Sequence, residues 1–398
     1  MTRHVIRGLG VGALLVACGG AGPPAAAPAP AVIRPGIEVL LADSMHLVRG
    51  RRVGLVTNHT GIDRAGVSDV ERLLGAGVRL VALYSPEHGF RGAADPGELV
   101  ASGTDSATGL PIYSLYGRTR TPTPAMLAGV DVLVVDLMDV GARYFTYIST
   151  TIEVMRAAGP AGIPVVVLDR PNPLGGTVQG NVLDRTFQTF VGPLPIPMRH
   201  GLTMGELARV AKRDLGLSAS LAVVPASGWR RSLAFDATGL PWLAPSPNLP
   251  TLEALFHYPG LCLFEGTNLS VGRGTAHPFE VLGAPWLDAQ KVLEIAGDME
   301  GLKLQIVNDL AVTRPGDQKY ADSSISAIRL LVTDRRRYDP TVAAVHLLAA
   351  VRRAHPAEFR WNVSHFDRLA GTDRLRAALE SGESPASIVA GWSAARAT

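Results

Sequence analysis

Between residues 50 and 170 the chain alternates between two kinds of segment. The runs RVGLVTN (52–58), VRLVALYS (78–85), VDVLVVDL (130–137) and IPVVVLDR (163–170) are unbroken, apolar and rich in Val and Leu. Such runs predict strands buried on both faces of a parallel sheet. The stretches GVSDVERLLGAG and TYISTTIEVMRAAG between them have helical spacing, and the second sets Ile148, Ile152 and Met155 on one face. Alternating strand and helix predicts an α/β fold with a doubly wound parallel sheet. Shorter βα units follow in TMGELARVAKRDLG and LAVVPA. The Pro-rich GLPWLAPSPNLP (239–250) predicts a crossing between domains. Beyond it, AIRLLVTD and PTVAAVHLLAAVRRAHP predict a smaller α+β domain. The expected boundaries are 37–250 for the sheet domain and 251–398 for the second, which would complete a cleft.

Composition narrows this picture. A chain of 398 residues with 47% hydrophobic and 18% charged residues is globular in character, and a net charge of +3 without a basic stripe argues against nucleic acid as the partner. The N-terminus MTRHVIRGLGVGALLVACGG has a basic start and a short apolar stretch ending in small residues. That predicts an export signal over 1–17, too short for a stable membrane-spanning helix. Leu15-Val16-Ala17-Cys18 has the form of a lipobox, in which Cys18 becomes the acylated first residue. The plainer alternative is a signal peptide that happens to contain a cysteine. Residues 18–36, Pro- and Ala-rich, read as a semi-rigid tether. No Asp follows Cys18, so the expected location is the periplasmic face of a bacterial membrane, the outer membrane first, with membrane contact through the lipid alone. With Cys18 acylated only Cys262 remains, and in GLCLFEG it reads as buried packing. GLGVGA (8–13) fits a dinucleotide-loop pattern, but no strand precedes it, so it carries no cofactor meaning.

In open parallel sheets ligands bind beyond the carboxyl ends of the strands. Each predicted strand runs into polar side chains at that end: Asn58-His59; Glu87-His88 and Arg91; Asp136, Asp139, Arg143, Tyr144 and Tyr147; Asp169-Arg170 and Asn172. Each has a bland reading as well. Asp136 could cap a helix, Arg143 and Arg170 could neutralise nearby aspartates, and Asn58 and Asn172 could be turn residues. His59 and His88 with an aspartate could ligate a metal, yet no H-x-H, H-E-x-x-H or C-x-x-C spacing supports one. Glu87 is hardest to dismiss. It stands between Pro86 and His88-Gly89, just past a buried strand, where half-burial would favour the protonated carboxyl a general acid needs. In the second domain FEGTNLSVGRGTAHPFEVLGAPW (264–286) sets Glu265, Asn268, Arg273 and His277 among glycines, as a functional loop facing the first domain would. Tyr, Trp, Asn, Asp and Arg together suit a sugar.

The motifs GLVTNHTG, SPEHGFRG, DVGARYFTY, LDRPNPLGG, PMRHGLTMGELA, SPNLP and FEGTNLSVGRGT, in this order, resemble the exo-β-N-acetylmuramidase family of NamZ or YbbC type. The likeness runs from residue 37 to the end. It implies a Rossmann-like catalytic domain, a smaller C-terminal domain, and a glycosidase releasing N-acetylmuramic acid from non-reducing ends of peptidoglycan fragments in cell-wall turnover. The family's P-E-H-G glutamate falls on Glu87. Site residues carried over are Asn58, His88, Asp136, Arg143, Tyr144, Arg170, Asn172, Glu265, Asn268 and Arg273. Arg91, Asp139, Tyr147 and Asn248, from the same strand ends and motifs, join them as expected substrate contacts. Met138 stands where the family pattern has glutamine, and the residues after Lys319-Tyr320 depart from it too.

Glycoside cleavage needs an acid at the leaving oxygen and a second group at the opposite face of the sugar. Glu87 is the expected acid, with His88 or Asp136 tuning it. Either Glu265 or Asp136 activates water, or the substrate's 2-acetamido oxygen attacks. Arg91, Arg143 or Arg273 is expected to read the lactyl carboxylate of muramic acid. No metal or cofactor is expected. The rival reading is a decayed wall-fragment-binding lipoprotein. A serine hydrolase is disfavoured by the missing G-x-S-x-G elbow.

Overall fold

The structure, a computed structural model, describes residues 1–2, 32–313 and 319–393. The signal segment's apolar stretch, Cys18 and the Pro/Ala run that follows it lie outside the described residues. Among the described residues no helix is long and apolar enough to cross a membrane.

Among the described residues twelve strands follow one another: β1 Arg52–Thr57, β2 Arg79–Ser85, β3 Gly103–Thr104, β4 Pro111–Ser114, β5 Val132–Asp136, β6 Val165–Leu168, β7 Gln179–Val182, β8 Pro197–Arg199, β9 Leu221–Val224, β10 Val281–Ala284, β11 Leu302–Val312 and β12 Ser323–Val332. Seven of them form one sheet in the order β3-β4-β2-β1-β5-β6-β9, parallel throughout except for the antiparallel pair β3-β4. The four apolar runs of the sequence are β1, β2, β5 and β6. β4 is not legible in this way, because Pro111 and Ser114 interrupt its short apolar stretch.

Strand alternation decides which helices cover which face. Val53, Leu55, Val132 and Val134 pack with Ile37, Leu40, Val70 and Leu73 of helices Gly36–Asp43 and Asp69–Gly75. Val56, Leu133, Val135 and Val167 turn the other way, toward Ile148, Ile152 and Met155 of helix Tyr147–Ala158 and Leu207 and Ala211 of helix Met204–Asp214. Local signals start these helices. Ser68 accepts from the Glu71 amide, and Thr203 with Glu206 forms a full capping box.

The smaller second domain is built on an antiparallel sheet, β10-β12-β11, with helices Leu252–Leu261, Ala289–Ala296 and Pro340–Ala354. One apolar core runs from Val56 and Tyr84 in the large sheet to Phe366 and Trp392 near the C-terminus. Arg143 joins the two parts in a way its sequence position does not betray. It is 1% exposed, and its guanidinium donates to the carbonyls of Asn181 and Ile196 on one side and of Leu369 and Ala370 on the other, at 2.9–3.1 Å. Burial pulls its pKa down to about 10. Where the sequence suggested a ligand contact, the structure gives Arg143 a crosslinking role: both of its terminal nitrogens are engaged by carbonyls, and the side chain has no access to solvent.

Arg143→Ala would leave four inward-facing carbonyls without this donor. The expected loss of stability is at least about 3 kcal/mol, read from the urea-unfolding midpoint. A midpoint equal to that of the parent protein would show that the carbonyls find other donors.

Candidate active site

The chain winds outward from β1 through β2 to β4, then returns to β5 and continues to β6 and β9 on the other side. The loops after β1 and β5 therefore diverge, and a crevice opens beyond the ends of these strands. Asn58 and His59 follow β1 there. Asn58 Nδ2 donates to the Tyr147 hydroxyl at 2.7 Å, and its Oδ1 accepts from the Thr60 amide and hydroxyl. The Tyr147 hydroxyl donates in turn to the Pro245 carbonyl at 2.8 Å. His59 Nε2 meets the Ala244 carbonyl at 2.8 Å. The Pro-rich crossing, which contains the buried Asn248, is thereby laid across the tip of β1.

Glu87 stands two residues beyond β2 and is half-buried. Its Oε2 accepts from the Thr146 hydroxyl at 2.5 Å and its Oε1 from the Gly97 amide at 2.9 Å. Burial and the nearby charge of Glu87 raise the pKa of the Tyr116 hydroxyl to about 12. The turn that presents Glu87 is tight. His88 adopts the left-handed conformation (φ 67°), followed by Gly89 (φ 76°), and the Gly89 amide closes on the Pro86 carbonyl at 3.0 Å. For a non-glycine residue this conformation costs on the order of 1–2 kcal/mol. The ring of His88 is 4% exposed and held by its Nδ1 to the Ala94 carbonyl at 2.7 Å, which fixes the turn. Burial lowers the His88 pKa, so the ring is neutral at pH 7 with Nε2 as an acceptor. Gly92 (φ 71°) permits a close approach: a Cβ there would lie 2.0 Å from the His59 ring.

His88 feels Glu87, His59 and Arg273, and so connects the sheet domain to the smaller one. Arg273 is 9% exposed, ion-paired with Glu265 and set over the Phe279 ring at 5.2 Å. Glu265 also accepts from the Cys262 thiol at 3.3 Å. Cys262 is buried, as its apolar context predicts, and burial with the charge of Glu265 pushes its thiol well above the usual range.

Several expected site residues turn out to be committed elsewhere. Asp136 has no exposure and forms a two-point pair with Arg170, whose Nη2 also donates to the Ile62 carbonyl at 2.8 Å. A carboxylate held in this way is closed to water and is a poor general base. Asp139 Oδ2 accepts from the Gly141 amide at 2.6 Å and faces His200 Nε2 at 3.2 Å. Tyr144 donates to the Pro259 carbonyl at 2.5 Å. Asn172 bridges Leu202 and Leu174, and Asn268 bridges Glu358 and Arg360. These groups shape the loops; they do not line the crevice with free donors. Met138, at 5% exposure, borders a hollow of about 20 Å³ with Arg170, Pro171, Phe235 and Leu240, so no sugar-binding amide is missed there.

Arg91 faces a cavity that Glu87 does not line. It pairs with Asp105 at 3.3 Å and lines a cavity of about 620 Å³ with Asn58, His59, Asp69, Leu74 and Phe90. Conversely, Thr146, Tyr116, Arg120 and Phe190 gather around Glu87 although the sequence did not single them out. Tyr116 had a signal: it lies just beyond β4, so the strand-end rule finds it once β4 is recognised. Phe190 sits in an irregular stretch and had none. Among the described residues no group of three His, Cys, Asp or Glu side chains could hold a metal ion.

Family models agree with this architecture. The N-terminal model of exo-β-N-acetylmuramidase NamZ matches residues 53–253, and the C-terminal model matches residues 256–398. The chain is 41% identical over 361 residues to the peptidoglycan β-N-acetylmuramidase NamZ of Bacillus subtilis (strain 168), covering 90% of this chain and 86% of that one. Two crystal structures of DUF1343 family proteins from Bacteroides fragilis NCTC 9343 are also similar. One has a TM-score of 0.80 at 34% identity, covering 88% of this chain and 92% of the other; the second has 0.71 at 30%, covering 91% and 95%. A parallel sheet with its crevice at the β1/β5 divergence, a P-E-H-G turn at the tip of β2 and matches to both family models place this chain in the exo-β-N-acetylmuramidase NamZ family.

Proposed function

We propose that this chain is an exo-acting glycoside hydrolase that releases N-acetylmuramic acid from the non-reducing ends of peptidoglycan fragments. The observation that carries the reading is the half-buried Glu87 carboxylate, presented by a strained turn at a strand tip and held by Thr146 and Gly97. The Gly97 amide occupies Oε1, so the catalytic proton travels on Oε2. Thr146 can accept from the protonated carboxyl and donate to the carboxylate, so one contact serves both states. Tyr116 keeps its proton at neutral pH and steadies the charge on Glu87 after the proton passes to the leaving oxygen. The neutral His88 behind the turn adds no charge of its own beside Glu87.

The opposite face of the sugar needs a second group. Glu265 is ion-paired with Arg273, and Asp136 with Arg170. Neither is available as nucleophile or base without breaking its ion pair. This favours attack by the substrate's own 2-acetamido oxygen. For location, the Leu15–Cys18 lipobox and the Pro/Ala run after it support an exported lipoprotein, tethered outside the cytoplasm where wall fragments are found.

Glu87→Gln is expected to leave the circular dichroism spectrum unchanged and to lower turnover of a chromogenic muramoside by at least ~100-fold; near-parental turnover would remove Glu87 from the acid role. Attack by the acetamido group predicts retention at the anomeric carbon. Proton NMR of the first sugar released should show the configuration of the substrate, and the opposite anomer would instead require a water activated by a protein base.

A further inference from the structure

A cation stands near Glu87, on the far side of Tyr116. Arg120 is solvent-exposed, yet its position is constrained: the guanidinium lies 4.2 Å from the centroid of the Phe190 ring and 5.2 Å from that of Tyr116. The two rings are themselves in contact, at 6.1 Å and a tilt of 47°. Tyr116, whose ring Arg120 overlies, also feels the charge of Glu87, so the guanidinium and the carboxyl flank the same phenol. Among the described residues Arg120 forms no ion pair. A guanidinium that stacks through its face keeps the in-plane N–H groups of its edge for a planar anion.

The other arginines expected to read a substrate carboxylate are placed differently. Arg143 donates to four backbone carbonyls and is sealed from solvent. The charge of Arg273 is neutralised by Glu265. Arg91 pairs with Asp105 beside the cavity of Asp69 and Leu74. The substrate chemistry supplies the remaining constraint. Muramic acid differs from glucosamine by a lactyl ether on C3 that ends in a carboxylate, and C3 lies in the same ring as the anomeric carbon. A group that reads this carboxylate must therefore sit about one side chain away from the acid that serves the anomeric oxygen.

We infer that Arg120, held on Phe190 and Tyr116, is the specificity-determining residue that grips the lactyl carboxylate of the terminal muramic acid. This rests on the muramidase reading above and refines it. Arg120 takes no part in proton transfer, and its effect falls on binding of the acidic sugar. Phe190 and Tyr116 are positioning residues that keep the guanidinium from wandering.

The experiment compares parent protein, Arg120→Ala and Arg120→Lys on two chromogenic substrates, the muramoside and its lactyl methyl ester, which carries no charge. The parent protein should prefer the acid. Arg120→Ala should raise KM for the acid about 10- to 100-fold, the range of a lost charge-assisted hydrogen-bond pair, while leaving the ester and the unfolding midpoint unchanged. Arg120→Lys, which keeps the charge but loses the fork and the stacking, should fall between. Equal losses on both substrates, or no loss on the acid, would overturn the assignment. Absence of any cleavage of the acid by the parent protein would instead defeat the muramidase reading, and the assignment with it.

Discussion

The arrangement of the strand tips depends on one buried cluster of charge. Arg170, just past β6, holds Asp136 at the end of β5 with two contacts, donates to the Ile62 carbonyl in the loop after β1, and lies 3.8 Å from Asp69 at the start of the next helix. Isolated, each of these charges would cost several kcal/mol to bury. Together they are tolerable because Arg170 pairs with Asp136, and because burial and the neighbouring Asp136 push the Asp69 carboxyl well above the usual range, toward its uncharged form. Three loops of the parallel sheet are tied at the point where their paths diverge. Asn58 is then placed to engage Tyr147, and the adjacent Thr146 to hold Glu87. The geometry around Glu87 is thus inherited from a buried salt-bridge cluster.

Much of this was legible in the chain. Unbroken Val/Leu runs marked β1, β2, β5 and β6, because burial on both faces leaves no polar alternation to blur them. The rule that ligands bind beyond strand carboxyl ends pointed to Glu87, His88, Asn58 and Tyr147, which the structure places at the crevice. What the rule cannot do is separate a side chain that faces the crevice from one that turns back to hold a loop. Asp136, Arg143, Tyr144 and Asn172 are all at strand ends, and all bind backbone or a buried counter-charge. Arg143 illustrates the reason: two of its four acceptors, Leu369 and Ala370, lie more than two hundred positions away in sequence. Arg120 and Phe190 were illegible for the converse reason, since neither follows a recognisable strand and their pairing exists only in space.

The smaller domain contributes more than a wall. Its Arg273–Glu265 pair is largely buried and internally neutral, and His88 feels its Arg273, so the pair approaches the turn of Glu87 without adding net charge. That leaves Arg120, on the sheet side, as the uncompensated cation next to the acid. A neutral pair on one flank and a stacked cation on the other would orient a sugar that bears a single carboxylate. The continuous core and the Arg143 crosslink keep the two flanks at a fixed separation. A rigid site suits a substrate whose end must be gripped in one orientation.

The most direct test of this account is a crystal structure of the Glu87→Gln protein with a disaccharide ending in muramic acid. The account predicts the glycosidic oxygen within hydrogen-bond distance of the side chain at position 87, with Thr146 and Tyr116 beside it. A disaccharide seated instead in the cavity of Asp69, Leu74, Phe90 and Arg91, out of reach of position 87, would contradict it.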